Sequence, residues 1–132
     1  MITSLDHISA ISLFVEDLGT TKDFYREVFA AKLAYEDDVS AAFSFGSVVV
    51  NLLRIDRAPE IIAPGHVATR ESGSRMQLSV WLDDVDAACK LLERHGVELL
   101  TGPRDRPWGM RTATFVDPAG HNWEIAQRIS AQ

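Results

Sequence analysis

Few residues in this chain carry metal-binding, nucleophilic or acid–base chemistry. There are four histidines, His7, His66, His95 and His121, one cysteine, Cys89, and a carboxylate, Glu124, three positions after His121. Strand geometry opposes a metal shared by His121 and Glu124. Three residues span roughly 10 Å and an odd offset sends the side chains to opposite faces, whereas a metal–ligand bond is about 2.1 Å. His66 sits in a segment rich in Pro and Gly, and His95 at a predicted helix end, where an imidazole beside the last carbonyls is an ordinary cap interaction. Glu124 is thus a lone carboxylate, suited to hold a cation or, if desolvated, to act as a general base. Burying it alone would cost several kcal/mol, so it needs a donor, and Arg111 on a neighbouring predicted strand is one candidate, as is a ligand's own ammonium or guanidinium. The aromatic residues Phe14, Phe43, Phe45, Trp81 and Trp108 offer stacking or cation–π contact to a small ligand. Core packing is the plain alternative and is favoured for Phe43, Phe45 and Trp81. Trp108, on a loop held by Pro107 and Gly109, favours a ligand or dimer contact.

The elements that must position these groups are read from periodicity. His7 to Val15 alternates with period two, a strand pattern, and Asp17 then caps a helix in which Leu18, Thr21, Tyr25 and Val28 recur at three and four residues. Extended segments follow at Lys32–Tyr35, Ala41–Phe45 and Val48–Arg54, separated by Glu36-Asp37-Asp38 and Gly46-Ser47. The second half repeats this βαβββ order. Met76 to Leu82 alternates, Asp84 caps a helix marked by Val85, Ala88, Leu91 and Leu92 that stops at Gly96, and strands are predicted at Val97–Leu100, Arg111–Phe115 and Asn122–Gln127. The expected organisation is one domain over 1–132, with modules at 1–57 and 75–132 and a connector over 58–74 that is a candidate lid.

Composition bounds the partners. At 132 residues, 46% hydrophobic and 24% charged, the chain is an ordinary globular domain. Thirteen basic residues dispersed among 19 acidic ones give a net charge of −6, which argues against nucleic acid. One cysteine excludes an intrachain disulfide, and the short apolar runs predict neither a membrane span nor a secretory signal, leaving a cytoplasmic location as the expectation.

Three stretches resemble the glyoxalase / bleomycin-resistance / extradiol-dioxygenase group, the vicinal oxygen chelate superfamily. They are Leu13-Phe14-Val15-Glu16-Asp17-Leu18 with Phe24-Tyr25-Arg26, then Val80-Trp81-Leu82-Asp83-Asp84-Val85-Asp86-Ala87, and finally Pro107-Trp108-Gly109 with Asp117-Pro118-Ala119-Gly120-His121-Asn122-Trp123-Glu124. The resemblance implies an α+β fold of two βαβββ modules whose curved mixed sheet surrounds a cleft, usually in a homodimer. Some members chelate vicinal oxygens with a metal that acts as a Lewis acid. Others, such as bleomycin-resistance proteins, lack the ligands and bind a drug.

Ligand positions carried over from the metal-bearing members fall on Ala10, Asn51, Gln77 and Glu124. Ala10 has no donor and the two amides are poor ligands beside imidazole or carboxylate. His7 lies three residues from its ligand position, on the opposite strand face. The resemblance therefore implies a small-molecule binder for an aromatic or cationic compound, in a dimeric cleft and without a complete metal site. Its candidate ligand contacts are Phe14, Phe43, Phe45, Asn51, Gln77, Trp81, Trp108, Arg111 and Glu124, with Glu124 the catalytic candidate. The alternative is a lyase, isomerase or dioxygenase holding a divalent metal at Gln77 and Glu124, with a third ligand from Asn51, His7 or the partner chain.

Overall fold

The computed structural model describes residues 2–130, and the chain divides into two compact units on either side of Thr69 and Arg70. In the first, β1 (Ala10–Val15) leads into α1 (Leu18–Val28), followed by β2 (Lys32–Glu36), β3 (Ser40–Phe45), β4 (Val48–Arg54) and the one-turn α2 (Pro59–Ile62). The second contains β5 (Leu78–Trp81), α3 (Val85–Arg94), β6 (Thr101–Arg106), β7 (Met110–Val116) and β8 (Asn122–Arg128). Each unit is thus a βαβββ module. The sheet orders are β1-β4-β3-β2 and β5-β8-β7-β6; β1 on β4 and β5 on β8 are parallel and the other pairings antiparallel.

The helix starts are set by local chemistry. Asp17 accepts from the Thr20 amide and Asp84 from the Ala87 amide, each at 3.0 Å, satisfying donors that the first helical turn leaves without a partner. α3 is capped at His95 and followed by Gly96, whose φ of +77° is open to glycine without a Cβ penalty. The Val97 amide then reaches back to the Leu92 carbonyl at 3.0 Å.

Each helix covers one face of its own sheet. Under α1, the buried Tyr25 stacks at 5.9 Å on Phe43 and at 5.2 Å on Phe29, and Phe45 lies 5.3 Å from Phe29. Leu13, Val15, Ala41, Val50 and Leu52 complete that core. Under α3, Val85, Cys89 and Leu92 pack with Ala113, Phe115, Trp123 and Ile125, all buried. Apolar burial of this kind is the main stabilising contribution in a domain of this size.

One expectation is corrected. The strand expected at Val97–Leu100 is displaced to Thr101–Arg106, where Gly102, at φ +85°, sits so close to β7 that a Cβ would collide with the Thr112 carbonyl. A Gly-Pro pair inside an edge strand with a register irregularity hides the extended pattern. The segment 58–74 carries α2 and a 3-10 turn at Arg70–Ser72, and the boundary between the units falls within it.

Candidate functional site

Strand register decides which side chains share the face of each sheet that its helix leaves open. In the first unit Ser12 pairs with Asn51, which pairs with Ala42, and Phe14 pairs with Leu53. Leu13 and Val15 are buried against α1, so Ala10, Ser12, Phe14 and Asn51 lie on the opposite, open face. Phe43 pairs with Val50 and Phe45 with Val48, which turns both rings under α1. Phe43 is 0% exposed, and neither phenylalanine belongs to a ligand face. The two-residue turn Gly46-Ser47 carried this information in the sequence, because it fixes the hairpin register and hence the parity of both rings.

The open face of the second unit has three residue rows. Ser79, Glu124, Thr114 and Thr101 form the first; Trp81, Ala126, Thr112 and Arg104 the second; and Arg128, Met110 and Arg106 the third. Ser79 donates its hydroxyl to Oε1 of Glu124 at 2.9 Å, and the Thr101 and Thr114 hydroxyls bond each other at 2.6 Å. Gln77 is exposed, one residue before β5. Trp81 is 70% exposed and not core. It lines a cleft of about 260 Å³ together with Leu82, Asp83, Met110, Ala126, Gln127 and Arg128. Trp108 is 60% exposed, and the Arg106 guanidinium lies 5.5 Å from its ring centroid. The Nε of Arg106 donates to the Thr112 hydroxyl at 3.0 Å.

Arg111 is corrected from a partner of Glu124 to a residue of the opposite face. It pairs with Gln127 on β8, donates to Asp105 at 2.7 Å and to Asp86 of α3 at 3.1 Å, and these carboxylates raise its pKa further. Asp105 is correspondingly held below its ordinary value by the Arg111 hydrogen bond. The donor to Glu124 is a neutral hydroxyl from β5. Sequence reasoning missed Arg104, Arg106 and Arg128 on the open face, because the position of β6 was hidden and with it the parity of its arginines.

The histidines lie elsewhere. His7 precedes β1 with its side chain 68% exposed and 3.5 Å from Asp6. His121 closes the Asp117-Pro118-Ala119-Gly120 turn, where the buried Asp117 accepts from the amides of Ala119 and His121 at 2.9 and 3.0 Å and pairs with the His121 ring at 2.9 Å.

A model of the Glyoxalase/Bleomycin resistance protein/Dioxygenase superfamily matches residues 4–125. The chain belongs to that superfamily. Its fold agrees with a glyoxalase/bleomycin resistance protein/dioxygenase from Nocardioides at TM-score 0.83 and 25% identity, covering 96% of this chain and 85% of that one. TnmS3, an antibiotic binding protein from Streptomyces, superposes at TM-score 0.72 and 25% identity, over 95% and 98% of the two chains. In sequence, the metallothiol transferase FosB of Staphylococcus saprophyticus is 24% identical over 125 residues, 95% of this chain and 77% of the relative.

Metals are a recurrent feature of the superfamily. Among the described residues no group of three or more His, Cys, Asp or Glu side chains is gathered closely enough to hold an ion. Ala10 supplies no donor atom, Asn51 and Gln77 supply neutral amides, and one Glu124 oxygen is engaged by Ser79. These residues do not fit the imidazole-and-carboxylate sets that divalent transition metals require.

Proposed function

We propose that this protein binds a small aromatic organic molecule on the open face of its second unit and holds it without turning it over. The observation that carries this reading is Trp81, a large aromatic ring left 70% exposed over a cleft of about 260 Å³. An exposed indole beside a concave surface is the kind of amphipathic anchor that small-molecule sites use. Met110 and Ala126 give the cleft an apolar floor, while Arg128 and Asp83 give its edges polarity. The antibiotic-binding relative TnmS3 supports a binding role. The metallothiol transferase relative is the weaker guide, because the metal positions inferred by resemblance hold Ala10, Asn51, Gln77 and Glu124. A homodimer, with a second copy completing the ligand cleft, belongs to the same reading. Sizing by light scattering tests that part.

The test is equilibrium dialysis against a panel of planar aromatic compounds, with Trp81→Ala as the control. Micromolar binding that weakens about tenfold or more in Trp81→Ala supports the proposal. A panel without a single ligand, or binding indifferent to Trp81→Ala, overturns it.

A further inference from the structure

We propose that the molecule this face takes is an aromatic anion, its acid group a carboxylate or phosphate held by Arg104 and Arg106; this rests on the aromatic-binding reading above. Arg104 pairs with Thr112, and Arg106 with Met110, which in turn pairs with Arg128. Two positions apart on one strand, the Arg104 and Arg106 side chains rise from the same side of β6, roughly 7 Å apart at their origins. Arg128 stands across the buried Met110 from Arg106, two strand spacings or roughly 10 Å away. The register therefore builds an apolar floor of Met110 and Ala126, with arginines along one side and the Trp81 ring on the other.

The state of these arginines gives the site its sign. Arg54, Arg57 and Arg111 are each neutralised by aspartate or glutamate. Among the described residues Arg104 and Arg106 have no such ion pair. Arg106 is instead fixed by two neutral partners, the Thr112 hydroxyl and the Trp108 ring, which orient the guanidinium without consuming its charge. A planar guanidinium so oriented presents paired N–H donors matched to a carboxylate or phosphate. The carboxylates nearby are Asp83, at the cleft edge, and Glu124, one row away and bonded to Ser79. Among the described residues neither carboxylate is ion-paired to Arg104 or Arg106. The chain's overall −6 does not reverse this local sign, because exposed charges beyond a Debye length of about 8 Å are largely screened at physiological salt.

From β5 to β6 is three strand spacings, roughly 14 Å. A ring of one or two fused cycles beside Trp81 would leave its acid group within reach of arginine side chains extending inward from β6. A cationic aromatic of the same size would meet those guanidinium groups head on.

Equilibrium dialysis with three probes sharing one ring tests the inference: 2-naphthoate, 2-naphthalenemethanol and 2-naphthylmethylammonium. The anion is expected to bind about tenfold or more tighter than the alcohol, and the ammonium weakest. Arg104→Gln and Arg106→Gln should each erase most of the preference for the anion while leaving the alcohol's affinity unchanged, which also shows that the variants are folded. Equal affinities for all three probes, preference for the ammonium, or an anion preference that survives both substitutions overturns the inference and leaves the aromatic-binding reading standing. Binding by none of the three overturns both.

Discussion

Ser79 donates its hydroxyl to Glu124 across the parallel β5–β8 pair, and this bond gives the carboxylate that superfamily resemblance marks as a metal ligand a protein partner of its own. Of the four positions that the resemblance marks, 10 holds an alanine and 51 and 77 hold amides, so Glu124 is the one that carries an anionic or imidazole donor. Protein dialysed with Mn²⁺, Fe²⁺, Ni²⁺ or Zn²⁺ is therefore expected to retain far less than one metal per chain by elemental mass spectrometry. A stoichiometric ion lost on Glu124→Ala would contradict this.

Core packing is the favoured sequence reading for both Phe43 and Trp81, and it holds for Phe43, which is fully buried, while Trp81 stands exposed. Phe43→Ala should destabilise its unit by about 3–5 kcal/mol in urea unfolding, as for other buried aromatics. The milder Phe43→Leu should leave aromatic-ligand affinity intact. Loss of affinity in folded Phe43→Leu would place that ring in the binding surface after all.

The Asp117 turn is a second point of vulnerability. Its buried carboxylate satisfies the amides of Ala119 and His121, and removing an acceptor from buried donors costs about 1–3 kcal/mol each. Asp117→Ala is expected to lose about 3 kcal/mol or more in chemical unfolding, with Asp117→Asn recovering part of it. A change below about 0.5 kcal/mol, the ordinary size of a surface substitution, would show that water replaces the carboxylate.

Helix α3 depends on its cap. Asp84→Ala should lower stability by about 1 kcal/mol, with Asp84→Ser or Asp84→Asn restoring most of it, as read from thermal melts. An unchanged melting temperature in Asp84→Ala would mean that the Ala87 amide finds another acceptor.

Acid titration carries a definite sign. Asp37 is held below its ordinary value of 3.8, first by the Val39 amide and then by the Ser40 hydroxyl, and Asp105 is held down by its hydrogen bond from Arg111. With folded values lowered, the unfolded chain takes up protons first as the pH falls. The stability these groups supply is complete above the ordinary carboxylate value and is lost as the pH drops through the folded values. Urea midpoints are expected to hold from about pH 7 to 5 and to fall below about pH 4. The fall should be shallower in Asp37→Asn, and midpoints that rise below pH 4 would refute it.

What could be read beforehand followed from how local each signal is. The Asp17 and Asp84 caps, the β4 limits and the repeated βαβββ order rest on neighbours within a few residues, so the sequence displays them. The donor to Glu124 is not legible in the sequence, because ruling out Arg111 and finding Ser79 need the registers of β7 on β8 and β5 on β8, relations among distant segments. β6 was misplaced because Gly102 and Pro103 erase the alternation that marks a strand. That error concealed Arg104 and Arg106, which carry the charge of the open face.

The parallel pairing of β1 with β4 also bears on how the chain assembles. β2, β3 and β4 join through short turns, but Ala10 must wait for Val49, and Leu78 for Trp123, before either parallel ladder can close. Loop closure over such separations is entropically slow. On a ribosome the first strand of each module is therefore synthesised first and docked last, and until the fourth strand emerges its backbone donors and acceptors are open to the wrong neighbour.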